Sequence, residues 1–178
     1  YLSGKSFGAR SYAGNFDYEE LLKAVEYCHL HNVLVYVTVN TLVKESDLNL
    51  SVVKKLEKYL VNAGIQVVLT RTSDAGLYGS AIGNLKRKDM QKRRDIILKA
   101  KPNLVVSIHM NKFSTSSRRG AQVFYKANDN LGEVLAKSIQ NEFNQMKEAS
   151  RQCSALTGDY YILNCSNYPS VIAECGFL

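Results

Sequence analysis

The sequence predicts an α/β fold, with an open, mostly parallel sheet and helices on both faces. The continuous β-branched run Val33–Asn40 is typical of a strand that is covered on both faces, and the mainly apolar segment Leu104–Ile108 also predicts a strand. Segments with apolar residues at helical spacing alternate with these runs. The chain has 178 residues and 46% hydrophobic content, which is enough for one good core.

The first third of the chain predicts two helix–strand units. Asp17–His31 begins with a capping Asp and an acidic first turn, and its apolar residues fall at helical spacing. The strand Val33–Asn40 follows it. Asp47 then suits the N-cap of a second helix, and Gly64 suits its C-terminal turn. The run from Ile65 to Thr70 is the second predicted strand.

The same alternation continues to the end of the chain. We expect further helices at about residues 87–99 and 131–146. We expect further strands at residues 104–109, 120–125, 160–163 and 170–174.

The formal net charge of +7 is unevenly distributed. Residues 1–44 hold four basic and four acidic side chains, so residues 45–178 carry 19 minus 12, again +7. Much of this charge lies in and around the predicted helix at 87–99. Such a cluster suits an anionic partner, either nucleic acid or an acidic cell-wall polymer, although a solvated helix face is the simpler interpretation. Because no aromatic residues are interleaved, we expect no nucleic-acid partner.

Other compositional features exclude several classes of protein. No run approaches the ~20 apolar residues of a membrane span, and the first residues lack the pattern of a signal peptide. The four cysteines include no C-x-x-C pair, which argues against a cysteine-based zinc knuckle and against a disulfide scaffold. A bridge between Cys153 and Cys165 is left open.

Three polar residues are placed to meet at one edge of the predicted sheet. His109 and Glu174 end apolar strands, and Glu45 lies between a strand end and a helix start. Ligands bind at this edge in open α/β sheets, and His plus carboxylates is a normal zinc ligand set. Each of two residues also has a simpler interpretation. Glu45 lies where a negative charge interacts favourably with the helix dipole, and His109 is a core histidine bonded to a backbone carbonyl. Glu174 is harder to explain without a partner, because a buried carboxylate is costly.

Five ordered segments resemble the zinc-dependent N-acetylmuramoyl-L-alanine amidases of type 3, and among them the sporulation and germination subgroup. They are Glu45-Ser46-Asp47-Leu48-Asn49-Leu50, Val68-Leu69-Thr70-Arg71-Thr72-Ser73-Asp74, Ser107-Ile108-His109-Met110-Asn111, Gly120-Ala121-Gln122-Val123-Phe124-Tyr125 and Pro169-Ser170-Val171-Ile172-Ala173-Glu174-Cys175-Gly176-Phe177-Leu178.

The resemblance implies a function and roles for the three residues. Glu45 and His109 would be ligands of Zn²⁺, and Glu174 would be the catalytic carboxylate. The substrate would be peptidoglycan, cleaved at the amide between N-acetylmuramic acid and L-alanine in cell-wall or spore-cortex remodelling. The parent amidase would therefore act outside the cytoplasmic membrane. Arg93 falls on a family arginine, to which we assign no role.

The sequence departs from the family at its third zinc ligand, a His in a Gly-His-Gly-Gly turn after the first strand. The remaining histidines, His29 and His31, precede the strand Val33–Asn40, so we expect them at the opposite end of the sheet. We also expect residues 45–178 to be an amidase domain without its first strand and C-terminal helix. Such a chain is expected to bind zinc poorly and to turn over slowly or not at all.

Residues 1–44 resemble a strand–helix–strand fragment of the collagenase-like peptidases. We therefore interpret the chain as a fusion, in which Val33–Asn40 takes the sheet position of the amidase's missing strand. Two other functions stay open besides the zinc amidase. One is a peptidase of the collagenase-like family, and the other is a non-catalytic peptidoglycan-binding remnant. The sequence does not indicate an oligomeric state.

Overall fold

A computed structural model describes residues 35–39, 43–80, 82–111, 120–146 and 152–177. For residues 35–39, 43, 44 and 177 it describes the backbone alone. The predicted helix Asp17–His31 lies outside the described residues, and so do His29 and His31.

The described strands form one six-stranded sheet in the order β2-β1-β3-β6-β4-β5. The strands are β1 (Val35–Val39), β2 (Val67–Leu69), β3 (Leu104–Asn111), β4 (Gln122–Tyr125), β5 (Leu156–Thr157) and β6 (Ser170–Phe177). All neighbours are parallel except β4 and β6, which are antiparallel. The predicted α/β class with a mostly parallel sheet is confirmed.

Strand β1 occupies an interior position of the sheet. Val35 pairs with Val67 of β2 on one side and with Leu104 of β3 on the other, both in parallel register. The prediction that Val33–Asn40 joins the sheet is therefore confirmed for residues 35–39. A strand paired on both edges has its backbone N–H and C=O groups satisfied by the ladders. Interior strands of parallel sheets are typically rich in β-branched residues, as Val35–Val39 is.

Four described helices cover the sheet, and they lie on both of its faces. They are α1 (Val43–Asn62), α2 (Leu85–Ala100), α3 (Asn130–Gln145) and the short α4 (Tyr161–Asn164). Alternate residues of a strand point to opposite faces. Val106 and Ile108 of β3 pack in the core with α1 and α3, whereas Val105 packs in a second core with α2 and α4.

The ends of the helices follow local sequence signals. Gly64, after α1, has φ +81°, as expected for a residue that reverses the chain after a helix. The side chain of Asn84 caps α2 by accepting a hydrogen bond from the backbone N–H of Arg87 at 3.0 Å. No described helix combines the length and the hydropathy needed to cross a membrane.

Two predicted elements differ from the structure. Helix α1 begins at Val43, so Asp47 is not its N-cap. Glu45 lies in its first turn, where the helix dipole stabilises a negative charge. The predicted strand at residues 160–163 is instead the helix α4. A strand would send Ile162 and Leu163 to opposite faces, whereas one helical turn buries both in the second core.

Candidate active site at the carboxyl edge of the sheet

Helix α1 presents Glu45 at the edge of the sheet where β1 and β3 end. The residue is buried, at 5% exposure. Asn49, one turn further along the same helix, donates from Nδ2 to Glu45 Oε1 at 3.3 Å. Residues four apart in a helix lie on the same side, which explains why this amide can hold the carboxylate.

His109 of β3 meets Glu45 across this edge. Its Nδ1 lies 3.3 Å from Glu45 Oε1, and its Nε2 lies 3.0 Å from Ser107 Oγ. Ser107 is two residues earlier on the strand, so both side chains project from the same face of the sheet. The imidazole ring is therefore held at both nitrogens.

Glu174 of β6 is the direct register neighbour of His109 in the parallel pair β3–β6. The two side chains consequently project from the same face of adjacent strands. Burial raises the pKa of the Glu174 carboxyl to about 7, with His109 lowering it and Glu45 raising it. A carboxyl with a pKa near neutrality can accept and return a proton at physiological pH.

One oxygen of Glu174 has no partner among the described residues. Oε2 is buried and makes no hydrogen bond to any described residue. Because a buried carboxylate oxygen without a partner is costly, such a group is typical of a site that completes itself with a ligand or a water molecule.

A buried arginine holds the first turn of α1 in place. Arg71, which follows β2, donates from Nη2 to the Ser46 carbonyl at 2.8 Å and from Nη1 to the Ser73 carbonyl at 2.7 Å. The Ser46 hydroxyl in turn donates to Asp74. Burial, and secondly the nearby Arg93, lowers the pKa of Arg71. These contacts tie the loop after β2 to the residue next to Glu45.

A second buried arginine connects α2 to the same region. Arg93 donates from Nε to Asp89 Oδ2 at 2.6 Å and from Nη1 to Thr70 Oγ1 at 3.1 Å. Asp89 Oδ1 accepts from the backbone N–H of Leu77 at 2.7 Å. Sequence reasoning singled out Arg93 without a role, and it missed Arg71 although Arg71 lies inside a matched segment. The described contacts of Arg93 join α2 to the end of β2 and to the following loop.

The spacing of Glu45 and His109 suits a shared metal ion. Two ligands at ~2.05 Å from a tetrahedral zinc ion lie about 3.3 Å apart. The observed separation of Glu45 Oε1 and His109 Nδ1 is 3.3 Å. Among the described residues, however, no group of three or more His, Cys, Asp or Glu side chains could hold a metal ion. The described part of the chain thus offers two candidate ligands with suitable spacing.

The described cysteines do not contribute to this site. Cys153 and Cys165 are free thiols, so the bridge between them that the sequence left open is absent. Cys175 is also free, and its burial raises its pKa far above the usual range. Because a thiolate is the form that binds metal, a buried neutral thiol here acts as a small apolar side chain.

Comparison with known proteins identifies the family. The family model described as N-acetylmuramoyl-L-alanine amidase matches residues 36–178, which include most of β1 and all three candidate residues. The chain belongs to the N-acetylmuramoyl-L-alanine amidase family. The family resemblance stated for residues 45–178 is therefore confirmed.

Individual relatives agree with this family. The chain is 30% identical over 138 residues to the germination-specific N-acetylmuramoyl-L-alanine amidase of Bacillus subtilis, covering 75% of this chain and 58% of that protein. It also resembles the structure of the CwlD amidase of Clostridioides difficile, solved in complex with the GerS lipoprotein. That match has 28% identity and a TM-score of 0.75, and it covers 82% of both chains.

A second solved structure shows the same fold. The crystal structure of an N-acetylmuramoyl-L-alanine amidase from Clostridium difficile 630 matches with 25% identity and a TM-score of 0.67, covering 82% of this chain and 80% of that one. The chain spans 58% of the length of its Bacillus subtilis relative. These matches agree with the amidase family, and among them the Bacillus subtilis relative is named as germination-specific.

Proposed function

We propose that this protein is a zinc hydrolase that cleaves the amide bond between N-acetylmuramic acid and L-alanine in peptidoglycan. The observation that carries the proposal is the meeting of Glu45, His109 and Glu174 at one sheet edge, with Glu45 Oε1 and His109 Nδ1 3.3 Å apart. The family membership and the germination-specific relative support the choice of bond and substrate.

Glu45 and His109 are the residues that would hold the ion. The family is generally zinc-dependent, and the 3.3 Å spacing of the two ligand atoms suits one tetrahedral centre. Bound zinc supplies an acidified water molecule and polarises the carbonyl oxygen of the scissile amide. Asn49 and Ser107 hold the two ligands, so their orientation is defined before an ion arrives.

Glu174 is the proposed general base. Its pKa of about 7 lets the carboxylate take a proton from the attacking water at neutral pH. The same carboxyl can then return that proton to the departing amine of L-alanine. The reaction needs this transfer, because an amine anion is a poor leaving group.

The ligand set of the described residues suggests weak metal binding. A catalytic zinc usually has three protein ligands and a water molecule, and Glu45 with His109 supplies two. We propose that this chain holds zinc weakly and turns over slowly. This proposal combines the spacing of the pair with the missing Gly-His-Gly-Gly turn of the sequence.

The test is to measure zinc stoichiometry and the release of free L-alanine amino groups from purified sacculi. The matched protein replaces residues 1–44 with a first strand that ends in Gly-His-Gly-Gly. We expect higher zinc occupancy and faster release from this protein, and loss of both from its His109→Ala variant. Full occupancy and normal turnover of the unmodified chain would contradict the proposal of a weakened site.

The second candidate function is a non-catalytic peptidoglycan-binding protein. The two-ligand set favours it, since a fold can keep its substrate groove after its metal is lost. Co-sedimentation with sacculi separates the alternatives when it is run beside the release assay. Binding without any release, even at saturating zinc, would favour the binding protein.

We further propose that residues 1–44 derive from a collagenase-like peptidase fragment and that residues 45–178 are the amidase domain. The parent amidase would act outside the cytoplasmic membrane, in the cell wall or spore cortex, because its substrate peptidoglycan lies there. Sequencing the genomic reading frame across residue 45 tests the fusion. An interrupted frame there would contradict a natural fusion.

A further inference from the structure

Helix α2 carries most of the net charge of the molecule on its exposed side. Residues 85–100 contain seven basic and two acidic side chains, a net +5 out of the +7 of the whole chain. Asp89 is buried in its pair with Arg93, and Asp95 pairs with Arg94. The exposed basic side chains of this helix are Lys86, Arg87, Lys88, Lys92 and Lys99. Three of them, Lys88, Lys92 and Lys99, share one side of the helix and are here called the basic face.

Most of these charges are not placed where they stabilise the helix, since only Lys99 lies in its last turn. Three of them, Lys86, Arg87 and Lys88, fall in the first two turns of α2, and the first turn has no acidic residue. Cations at a helix N-terminus are disfavoured, because that end carries the positive pole of the helix dipole. A face arranged only for solvation would place acidic residues there. The arrangement therefore suits an external negative partner.

The basic face is elongated rather than compact. Lys88, Lys92 and Lys99 are spaced by four and seven residues, so they lie along one side of the helix over a rise of ~17 Å. The amine of Lys88 also donates to the Ile82 carbonyl at 2.6 Å, which orients it while leaving the residue exposed. A line of cations fits a linear polymer with repeated charges better than a single small anion.

We propose that the basic face of α2 binds a linear, phosphodiester-linked anionic polymer of the cell wall. The choice of a cell-wall polymer rests on the proposed function, since the substrate of that function is the wall itself. Residues 85–100 contain no aromatic side chain. Surfaces that bind single-stranded nucleic acid stack bases on aromatic rings, so a polymer without bases is the better partner.

The test is a salt titration of binding to a fluorescently labelled poly(glycerol phosphate) chain, followed by anisotropy. The test variant is Lys88→Gln/Lys92→Gln. The matched control is Lys54→Gln/Lys58→Gln, because Lys54 and Lys58 are exposed, lie on α1 and have the same spacing. Each double variant changes the formal charge from +7 to 7 minus 2, that is +5.

We expect the α2 variant to raise the Kd about tenfold and to make the Kd less dependent on salt. With fewer ion contacts, binding releases fewer counterions from the polymer. The α1 control should change the Kd less than about twofold. Equal losses in both variants, or no binding by the unmodified chain at 0.15 M salt, would overturn the proposal. Tighter binding of a single-stranded DNA with the same number of charges would overturn the choice of partner.

Polymer binding by α2 can be measured independently of amidase activity. The titration is run without metal and repeated with Glu174→Gln. This variant removes the proposed general base of the amidase site. Unchanged polymer binding by Glu174→Gln supports a surface that is independent of turnover. Loss of polymer binding in that variant would place the polymer at the amidase site and would overturn the assignment to α2.

Discussion

Removing the charge of Glu174 should stabilise the metal-free protein at neutral and alkaline pH. Burial raises the pKa of this carboxyl from 4.5 to about 7. In the folded chain the group therefore stays neutral over a pH range in which the unfolded chain has already ionised it. Ionisation favours the unfolded state, so the wild type loses stability as the pH rises from about 4.5 to about 7, and the loss is constant above that.

The size of the effect follows from the pKa difference. About 7 minus 4.5 is about 2.5 units, and each unit corresponds to ~1.36 kcal/mol. The Glu174→Gln variant is uncharged in both states and escapes this loss. We expect it to match the wild type near pH 4 and to exceed it by up to about 3 kcal/mol at pH 8, where the ionised wild-type carboxylate is buried.

The assay is urea unfolding of both proteins with EDTA at pH 4, 6 and 8. Glu133→Gln serves as the control, because Glu133 is partly exposed, pairs with Lys137 at 2.6 Å and has a pKa lowered by that contact. Its variant should gain no stability with rising pH. A difference between Glu174→Gln and wild type that stays the same from pH 4 to pH 8 would refute the reasoning.

Three further predictions concern the packing that positions the site. Leu56→Ala removes a side chain with 0% exposure from the core under α1 and should cost about 2–5 kcal/mol in urea unfolding, whereas Leu98→Ala, at 45% exposure, should cost less than about 0.5 kcal/mol. Arg93→Met leaves Asp89, at 3% exposure, buried without its cation and should lower the free energy of unfolding by about 3–5 kcal/mol. The double variant Asp89→Leu/Arg93→Met removes both charges and should lose less stability, so an equal loss would contradict the prediction. Arg71→Met should weaken zinc binding by freeing the first turn of α1, with partial recovery in Arg71→Lys, and equal zinc affinity in all three proteins would exclude a positioning role.

Much of the architecture was predictable because its signals are local. The β-branched run around Val35–Val39 indicated a strand, and Gly64 indicated a helix end, and both are confirmed. The strand predicted at residues 160–163 was wrong for the opposite reason. Its aromatic and β-branched residues suit a strand locally, but burial of Ile162 and Leu163 against the second core favours a helical turn.

The candidate site was predictable in part. Strand ends located His109 and Glu174, and the start of a helix located Glu45, because parallel strands bring their carboxyl ends to one edge. The resemblance gave these residues their proposed roles. The contacts of Arg71 were not predictable. They join residues 25 positions apart, and an arginine in a loop carries no local sign that it will be buried. The roles of Glu45 and His109 as zinc ligands, and of Glu174 as base, stay predictions.

The sequence by itself determined the α/β class, the family and the three residues that meet at the sheet edge, because hydrophobic periodicity and motif order are properties of the chain alone. Only the tertiary structure decided that β1 pairs with both β2 and β3, that Glu45 Oε1 lies 3.3 Å from His109 Nδ1, and that Glu174 is buried enough to raise its pKa to about 7. Distances and burial depend on which distant segments pack together, and that packing is a property of the whole fold.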